Sequence, residues 1–261
     1  MSLATRIHQL SFSPNKKENL DMILKLISKS DAYLDVFPEY SMGMPSKGID
    51  REFIQKNAEP LEGEFIRKIV EGTLRRNSAV VFTTFLKEDN TVYNAAVLAE
   101  KGKIVVVYRK IHLFDAFGYK ESAMFAPGKK LAITNLGSFK IGLALCFDLR
   151  FPELFRAMAY SGVNLFVVPS GWYKGEYKIE QWRALVVARA HENGAYLMAA
   201  DQTNPFFIGH STVTSPLGYT IKELREEQTS FALKLDFEEI CKARSLLPTL
   251  SLSKCDLYSG L

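Results

Sequence analysis

Apolar residues recur at helical spacing in two early stretches. From Asn19 to Ser28, Leu20, Ile23, Leu24 and Ile27 fall at i, i+3, i+4 and i+7, and Glu62 to Asn77 repeats the device with Phe65, Ile66, Ile69, Val70 and Leu74. Each spacing predicts a helix with one buried stripe, the first with Ser13-Pro14 as its start signal. Phe151–Tyr160 and Ile179–His191 read as later helices. Short runs rich in β-branched and aromatic residues predict strands at Tyr33–Phe37, Ala79–Leu86, Ala95–Glu100, Ile104–Tyr108, Ile141–Phe147, Leu165–Val168, Ala195–Ala200, Ser211–Thr214 and Thr229–Leu235. The break Glu100-Lys101-Gly102-Lys103 reads as a hairpin between two of them. Only about five helices among so many strands exceed one short doubly wound sheet, and fit an α/β protein with two sheets covered by helices on their outer faces.

Composition narrows the class. The 261 residues are 47% hydrophobic, enough for a sizeable core, and no Pro-, Gly- or Ser-rich linker or internal repeat divides them, so one domain spanning 1–261 is expected. The weakly patterned tail from Leu246 to Leu261 is either frayed or laid on a partner. The net charge of +4 comes from 33 basic and 29 acidic residues spread along the chain. Basic clusters such as Lys16-Lys17, Arg75-Arg76 and Lys129-Lys130 are short and not interleaved with aromatics, so no nucleic-acid platform is expected. No apolar run approaches the roughly 20 residues of a membrane span, and Met1 to Arg6 has no signal-peptide core. The cysteines Cys146, Cys241 and Cys255 and the histidines His8, His112, His191 and His210 lack metal-ligand spacing. A reducing, cytoplasmic setting without a metal or cofactor is therefore expected.

One of the cysteines stands apart. Cys146 closes the apolar run Ile141-Gly-Leu-Ala-Leu and precedes Phe147-Asp148-Leu149-Arg150-Phe151-Pro152-Glu153, where Pro152 can start a helix. A thiol between strand end and helix start faces the helix dipole and is expected to be held partly as thiolate, a nucleophile. Two other β-rich runs deliver charged groups at their ends: Leu34-Asp-Val-Phe-Pro38 leads into Glu39, and Ile104-Val-Val-Val-Tyr108-Arg109 into Lys110. Carboxylate, ammonium and thiol, each at the end of its own strand, can meet at one edge of a sheet.

These three motifs, in this order, resemble the Glu-Lys-Cys triad of the nitrilase superfamily of carbon–nitrogen hydrolases. The resemblance runs from about Ile7 to about Phe231 and includes Ala188-Arg-Ala-His-Glu-Asn193, Gly209-His-Ser-Thr-Val213 and Pro216-Leu-Gly218. It implies a four-layer αββα sandwich. It also implies a tail that crosses to a partner subunit, and a homodimer paired through helices near the cysteine. For that pairing Phe151, Leu154, Phe155, Met158 and Ala159 offer an apolar face wide enough to serve both core and partner.

The chemistry then divides among named residues. Cys146 attacks the carbonyl carbon, and Glu39, its pKa raised by a pocket of low polarity, takes the thiol proton and passes it to the leaving amine. Lys110 and the backbone N–H of Phe147 face the developing oxyanion. The resemblance gives Glu121 the part of a second glutamate that orients Lys110 and positions water, on a loop without a firm frame. Phe147, Gly171 and Trp172 are expected to line the substrate pocket, because Pro169-Ser-Gly-Trp172 ends the strand that follows Cys146. Arg150 could bind a substrate carboxylate; pairing with Asp148 or Glu153 is the favoured expectation. His112 and His210 lie in no Cys-protease context, and the Gly-x-Ser-x-Gly elbow and dinucleotide fingerprint are missing. The Asp148–Glu153 stretch looks most like the ω-amidase branch, whose members act on monoamides of short dicarboxylates. Nitrile hydrolysis is the rival within enzymes, and an interaction subunit with a retired site is the rival outside them.

Overall fold

The structure, a computed structural model, describes residues 1–203, 205–254 and 257. Its first half runs β1 (Ser2–Gln9), α1 (Lys16–Lys29), β2 (Leu34–Val36), α2 (Arg51–Asn57), α3 (Glu64–Arg76), β3 (Ala79–Glu88), β4 (Thr91–Glu100) and β5 (Lys103–Arg109). The second half runs β6 (Ala132–Leu136), β7 (Phe139–Leu143), α4 (Pro152–Tyr160), β8 (Leu165–Ser170), α5 (Lys178–His191), β9 (Tyr196–Asp201), β10 (Thr212–Thr214) and β11 (Thr220–Glu223), then β12 (Thr229–Asp236), α6 (Phe237–Leu246) and α7 (Thr249–Leu252).

Two six-stranded mixed sheets result, in the orders β12-β1-β2-β3-β4-β5 and β11-β10-β9-β8-β7-β6. Within each, a parallel core (β1, β2 and β3; β7, β8 and β9) is flanked by antiparallel strands. Parallel strands covered on both faces read as continuous apolar runs, and β3 shows why. Its Val81 faces the second sheet, joining Ile7 and Val36 of its own sheet and Leu143, Val167 and Met198 of the other, while Val80 and Phe82 face outward to Ile23 of α1 and Ile69 of α3. Across the molecule, Phe166 and Val168 of β8 meet Phe155 and Met158 of α4 and Trp182 of α5. Each such side chain removed from water contributes about 1.5–3 kcal/mol. The layers are helix, sheet, sheet, helix, the αββα sandwich expected from the sequence.

Local signals explain most boundaries and correct some. The β4–β5 turn places Lys101 and Gly102 at φ 49° and 80°, the geometry a two-residue hairpin loop requires. α1 is capped by Asn15, whose side chain accepts from the Lys17 and Glu18 amides, and not by Ser13-Pro14. The expected strand Ile141–Phe147 stops at Leu143, because Cys146 sits at φ 42°, outside any strand geometry, and opens a tight 3₁₀ turn through Arg150. α4 packs Leu154, Phe155, Met158 and Ala159 against the second sheet and leaves Tyr160 exposed. The described part of the tail lies back on the chain: Thr249 Oγ1 donates to the Glu192 carbonyl at 3.0 Å and Leu250 packs against the outer core of the second sheet. Cys255 and the tail's last residues lie outside the described residues. Among the described residues, no helix is long and apolar enough to cross a membrane.

Candidate active site

Three chain segments meet at the ends of β2, β5 and β7. Beyond β2, the Phe37 amide donates to Val81 and the Glu39 amide crosses to the Ser170 carbonyl of β8 at 3.1 Å, tying the two sheets together where the carboxylate emerges. Gln202 secures the same point, its Nε2 donating to the Glu39 carbonyl at 2.8 Å. Lys110 follows β5 directly, its amide bonded to the Asn94 carbonyl and its carbonyl to Gly128. Cys146 opens its turn under the control of Asp148. That buried carboxylate accepts from the Leu145 amide and the Tyr108 hydroxyl, each at 2.8 Å, and from His112 Nδ1 at 2.7 Å. The bonds hold a non-glycine residue at positive φ, a conformation that persists only where its surroundings determine it. Tyr40, next to Glu39, is held likewise at φ 60°.

The charges converge on one ammonium. Lys110 Nζ lies 3.0 Å from Glu39 Oε1 and 2.9 Å from Glu121 Oε2, and all three residues are buried. Asn94 Nδ2 donates to both carboxylates, at 2.7 Å to Glu39 and 2.9 Å to Glu121, and the Gly171 amide donates to Glu39 Oε2 at 2.9 Å. Glu121 does not lie on an unframed loop: it opens a short 3₁₀ turn (Glu121–Ala123) and its Oε2 accepts from the Phe114 amide at 2.6 Å. Burial pushes the Glu39 carboxyl up, Lys110 pulls it down, Glu121 pushes it up again, and the net direction is upward. Burial pulls the Lys110 pKa down, but Glu121 and Glu39 outweigh it and hold it well above the usual lysine value.

The thiol departs from expectation. α4 begins only at Pro152, beyond the 3₁₀ turn, and burial together with the Glu39 charge pushes the Cys146 pKa well up, outweighing Lys110 and the Gly171 amide. With its pKa pushed up and α4 starting only beyond the turn, the thiol calls for a base to take its proton.

A recess of roughly 320 Å³, open mouth included, leads to Cys146 and Lys110. Phe147, Gly171 and Trp172, all expected from sequence, line it. A Cβ on Gly171 would lie 2.9 Å from the Tyr40 ring, so only glycine lets the backbone amide reach Glu39 here. Arg150 also lines the recess and pairs with neither Asp148 nor Glu153. Asp148 is turned inward to Tyr108 and His112, and Arg150 donates to neutral Gln181 Oε1 at 2.8 Å while stacking 4.7 Å from the Trp172 ring centre.

Sequence reasoning missed Asn94, Asp201, Tyr40, Phe114, Tyr173 and Lys178. Asn94 carried a readable signal, a polar residue of low strand propensity inside the apolar strand β4. Asp201, fully buried, accepts the Trp172 amide at 2.7 Å and so fixes the backbone beside Gly171; burial pushes its carboxyl well up. Tyr40 and Tyr173 directly follow the expected Glu39 and Trp172, whereas Lys178, at the start of α5, is brought to the recess by tertiary folding, and Phe114 lines it from the loop after Lys110.

This arrangement has the parts for acyl transfer: a nucleophile, a carboxyl poised to exchange a proton, and a fixed cation. Comparison with known proteins gives the family. The family model for carbon–nitrogen hydrolases matches residues 4–244. Deaminated glutathione amidase of Escherichia coli O157:H7 is 31% identical over 226 residues, covering 86% of this chain and 86% of that one. Omega-amidase NIT2 of Xenopus tropicalis is 28% identical over 266 residues, covering 96% and 95%. Among solved structures, Saccharomyces cerevisiae Nit3, a member of branch 10 of the nitrilase superfamily, superposes with a TM-score of 0.83 at 25% identity, covering 97% of this chain and 96% of that one.

Proposed function

The chain belongs to the carbon–nitrogen hydrolase family, and we propose that it hydrolyses a small amide to a carboxylic acid and ammonia through a thioester on Cys146. The observation that carries this reading is the buried Lys110 ammonium bracketed by Glu39 and Glu121 in the recess that Cys146 lines.

Glu39 takes the proton of the Cys146 thiol as sulfur bonds to the amide carbon. The proton moves within the enclosed site, so the net charge there does not change, and burial, which raises the Glu39 pKa, makes that carboxylate a stronger base. Lys110 Nζ and the Phe147 backbone N–H stabilise the oxyanion; losing one such donor typically costs about 100- to 1000-fold in turnover. Collapse breaks the carbon–nitrogen bond, the amine leaves with the proton from Glu39, and ammonia departs. Glu39, ionised again, then draws a proton from water as its oxygen attacks the thioester. The second collapse releases the acid and returns that proton to sulfur. Glu121 and Asn94 act through Lys110 and Glu39 by fixing their positions. Within the amides, the Asp148–Glu153 stretch favours monoamides of short dicarboxylates.

Ammonia release over a panel of small amides and nitriles tests the reading. Amides should release ammonia and acid in equal amounts, and Cys146→Ala should abolish both. Turnover of nitriles alone, or release unaffected by Cys146→Ala, would overturn it.

A further inference from the structure

Two aspartates are fully buried near the nucleophile, and they are served very differently. Asp148 collects four donors, two on each oxygen: the Tyr108 hydroxyl and Leu145 amide on one, the His112 amide and ring on the other. Asp201, the last residue of β9, has only its Oδ1 met, by the Trp172 amide at 2.7 Å, and its Oδ2 is enclosed with no partner. The nearby Gln202 and Gly209 amides donate instead to the Ser170 and Gln202 carbonyls, at 3.1 and 2.9 Å. Among the described residues no cation pairs with Asp201, Lys110 being held between Glu39 and Glu121. Glu39 and Cys146 are the titratable groups that act on it or feel its charge. Its ladder partner Ser170 and the Ser211 hydroxyl, to which its amide donates at 2.9 Å, carry no charge, and His210 is turned to Glu223 at 2.6 Å.

A buried carboxylate with one donor and no counter-charge is strongly unfavourable, whereas a protonated carboxyl needs only the acceptor role at Oδ1 that the Trp172 amide uses. We propose that Asp201 works as an uncharged carboxyl, a positioning residue that holds the Trp172 amide, aims the adjoining Gly171 amide at Glu39, and adds no negative charge beside the sulfur. This rests on the Cys146 chemistry proposed above. Two features make neutrality matter. The site already sets two carboxylates against one ammonium, and a charge on Asp201 would push the Cys146 pKa further up and make its proton harder to remove. The Gly171 amide, which donates to Glu39 Oε2 at 2.9 Å and favours the thiolate, depends on the backbone that Asp201 fixes. Burial pushes the Asp201 carboxyl well up, more than the Trp172 amide pulls it down, and Glu39 pushes it further. Alkaline solution therefore charges the wall beside the thiol, and the ionisation of Asp201 sets the alkaline limb of the rate profile.

Infrared spectra in deuterated buffer, which need no turnover, read the proton directly. Wild type at neutral pH should show the carbonyl band of a protonated carboxyl that is missing in Asp201→Asn. Urea unfolding gives a second reading: the midpoint of Asp201→Asn should exceed that of wild type by a gap that widens as pH rises past the ordinary carboxylate range, because only wild type must keep a proton that its unfolded chain releases. In turnover, an asparagine supplies the same acceptor without a charge. Asp201→Asn should therefore recover the loss of about tenfold or more in kcat that Asp201→Leu suffers at little change in KM, and its alkaline limb should lie at higher pH than that of wild type. If Asp201→Leu does not fold, the band, the gap and the limb of Asp201→Asn decide. A wild type without the band, a gap that does not change with pH, or an Asp201→Asn as slow as Asp201→Leu would overturn the neutral carboxyl while leaving the amidase intact. The band and the widening gap with no hydrolysis of any amide would overturn the amidase and keep the uncharged Asp201.

Discussion

Replacing Lys110 by Met keeps the length and bulk of the side chain and removes its charge, which makes it the sharpest probe of the buried triad. The two carboxylates the ammonium now separates, at 3.0 and 2.9 Å, would face each other without a cation. Breaking a buried ion pair from one side costs about 3–5 kcal/mol, a large share of the about 5–15 kcal/mol that holds a typical domain together. The site has a way to limit that cost: one carboxyl takes up a proton and hydrogen-bonds to the other across Asn94. Lys110 pulls the Glu39 pKa down, so its removal drives that pKa further up. Two effects should therefore appear together. Turnover at the optimum should fall by about 100-fold or more for loss of an oxyanion donor, and the acid limb of the rate profile should move to higher pH, because Glu39 must now lose its proton against a steeper penalty. Ammonia release from pH 5 to 10, corrected for the folded fraction by urea unfolding, reads both. A variant with near-normal kcat, or with lowered kcat and an unmoved acid limb, would refute the reasoning.

Glu39→Gln should be inactive yet gain stability relative to wild type as pH rises. The folded pKa of Glu39 lies above its unfolded value, so wild type loses stability once pH passes the ordinary carboxylate range and on through the raised pKa, whereas glutamine has no proton to lose. Equal pH dependence of the two melting curves would contradict this. Asn94→Leu removes a donor shared by both glutamates and should cost about 1.5–3 kcal/mol in urea unfolding while shifting the acid limb upward; an unshifted limb would leave Asn94 a packing residue. Gly171→Ala places a Cβ 2.9 Å from the Tyr40 ring, so kcat should drop with a stability loss of about 1–3 kcal/mol, and wild-type kcat would show that the Gly171 amide is not needed at Glu39.

The site was legible in sequence where chemistry sits immediately past an apolar run. Glu39, Lys110 and Cys146 each stand at or just past the end of a strand, and for Lys110 the family resemblance, not spacing alone, decides between a site residue and a surface lysine. What stayed hidden depends on contacts between distant segments. Lys178 reaches the recess from the start of α5, and the pairing expected for Arg150 failed because Asp148 is claimed by Tyr108 and His112, which arrive from the first sheet. The same holds for the fold. β1 was overlooked because Thr5, His8 and Gln9 occupy buried positions and blur its alternation, although His8 finds Asp35 at 2.8 Å once β1 and β2 pair. β11, an exposed edge strand, carries almost no apolar face to read.

The central claim is a covalent bond to one sulfur. Wild-type protein quenched in acid during turnover of a slow amide, digested and weighed should show the acyl group on the peptide that contains Cys146, removable by hydroxylamine and missing in Cys146→Ala. An acyl group on the peptide of Cys241, or ammonia released through many turnovers with no acyl adduct at any time, would contradict the account.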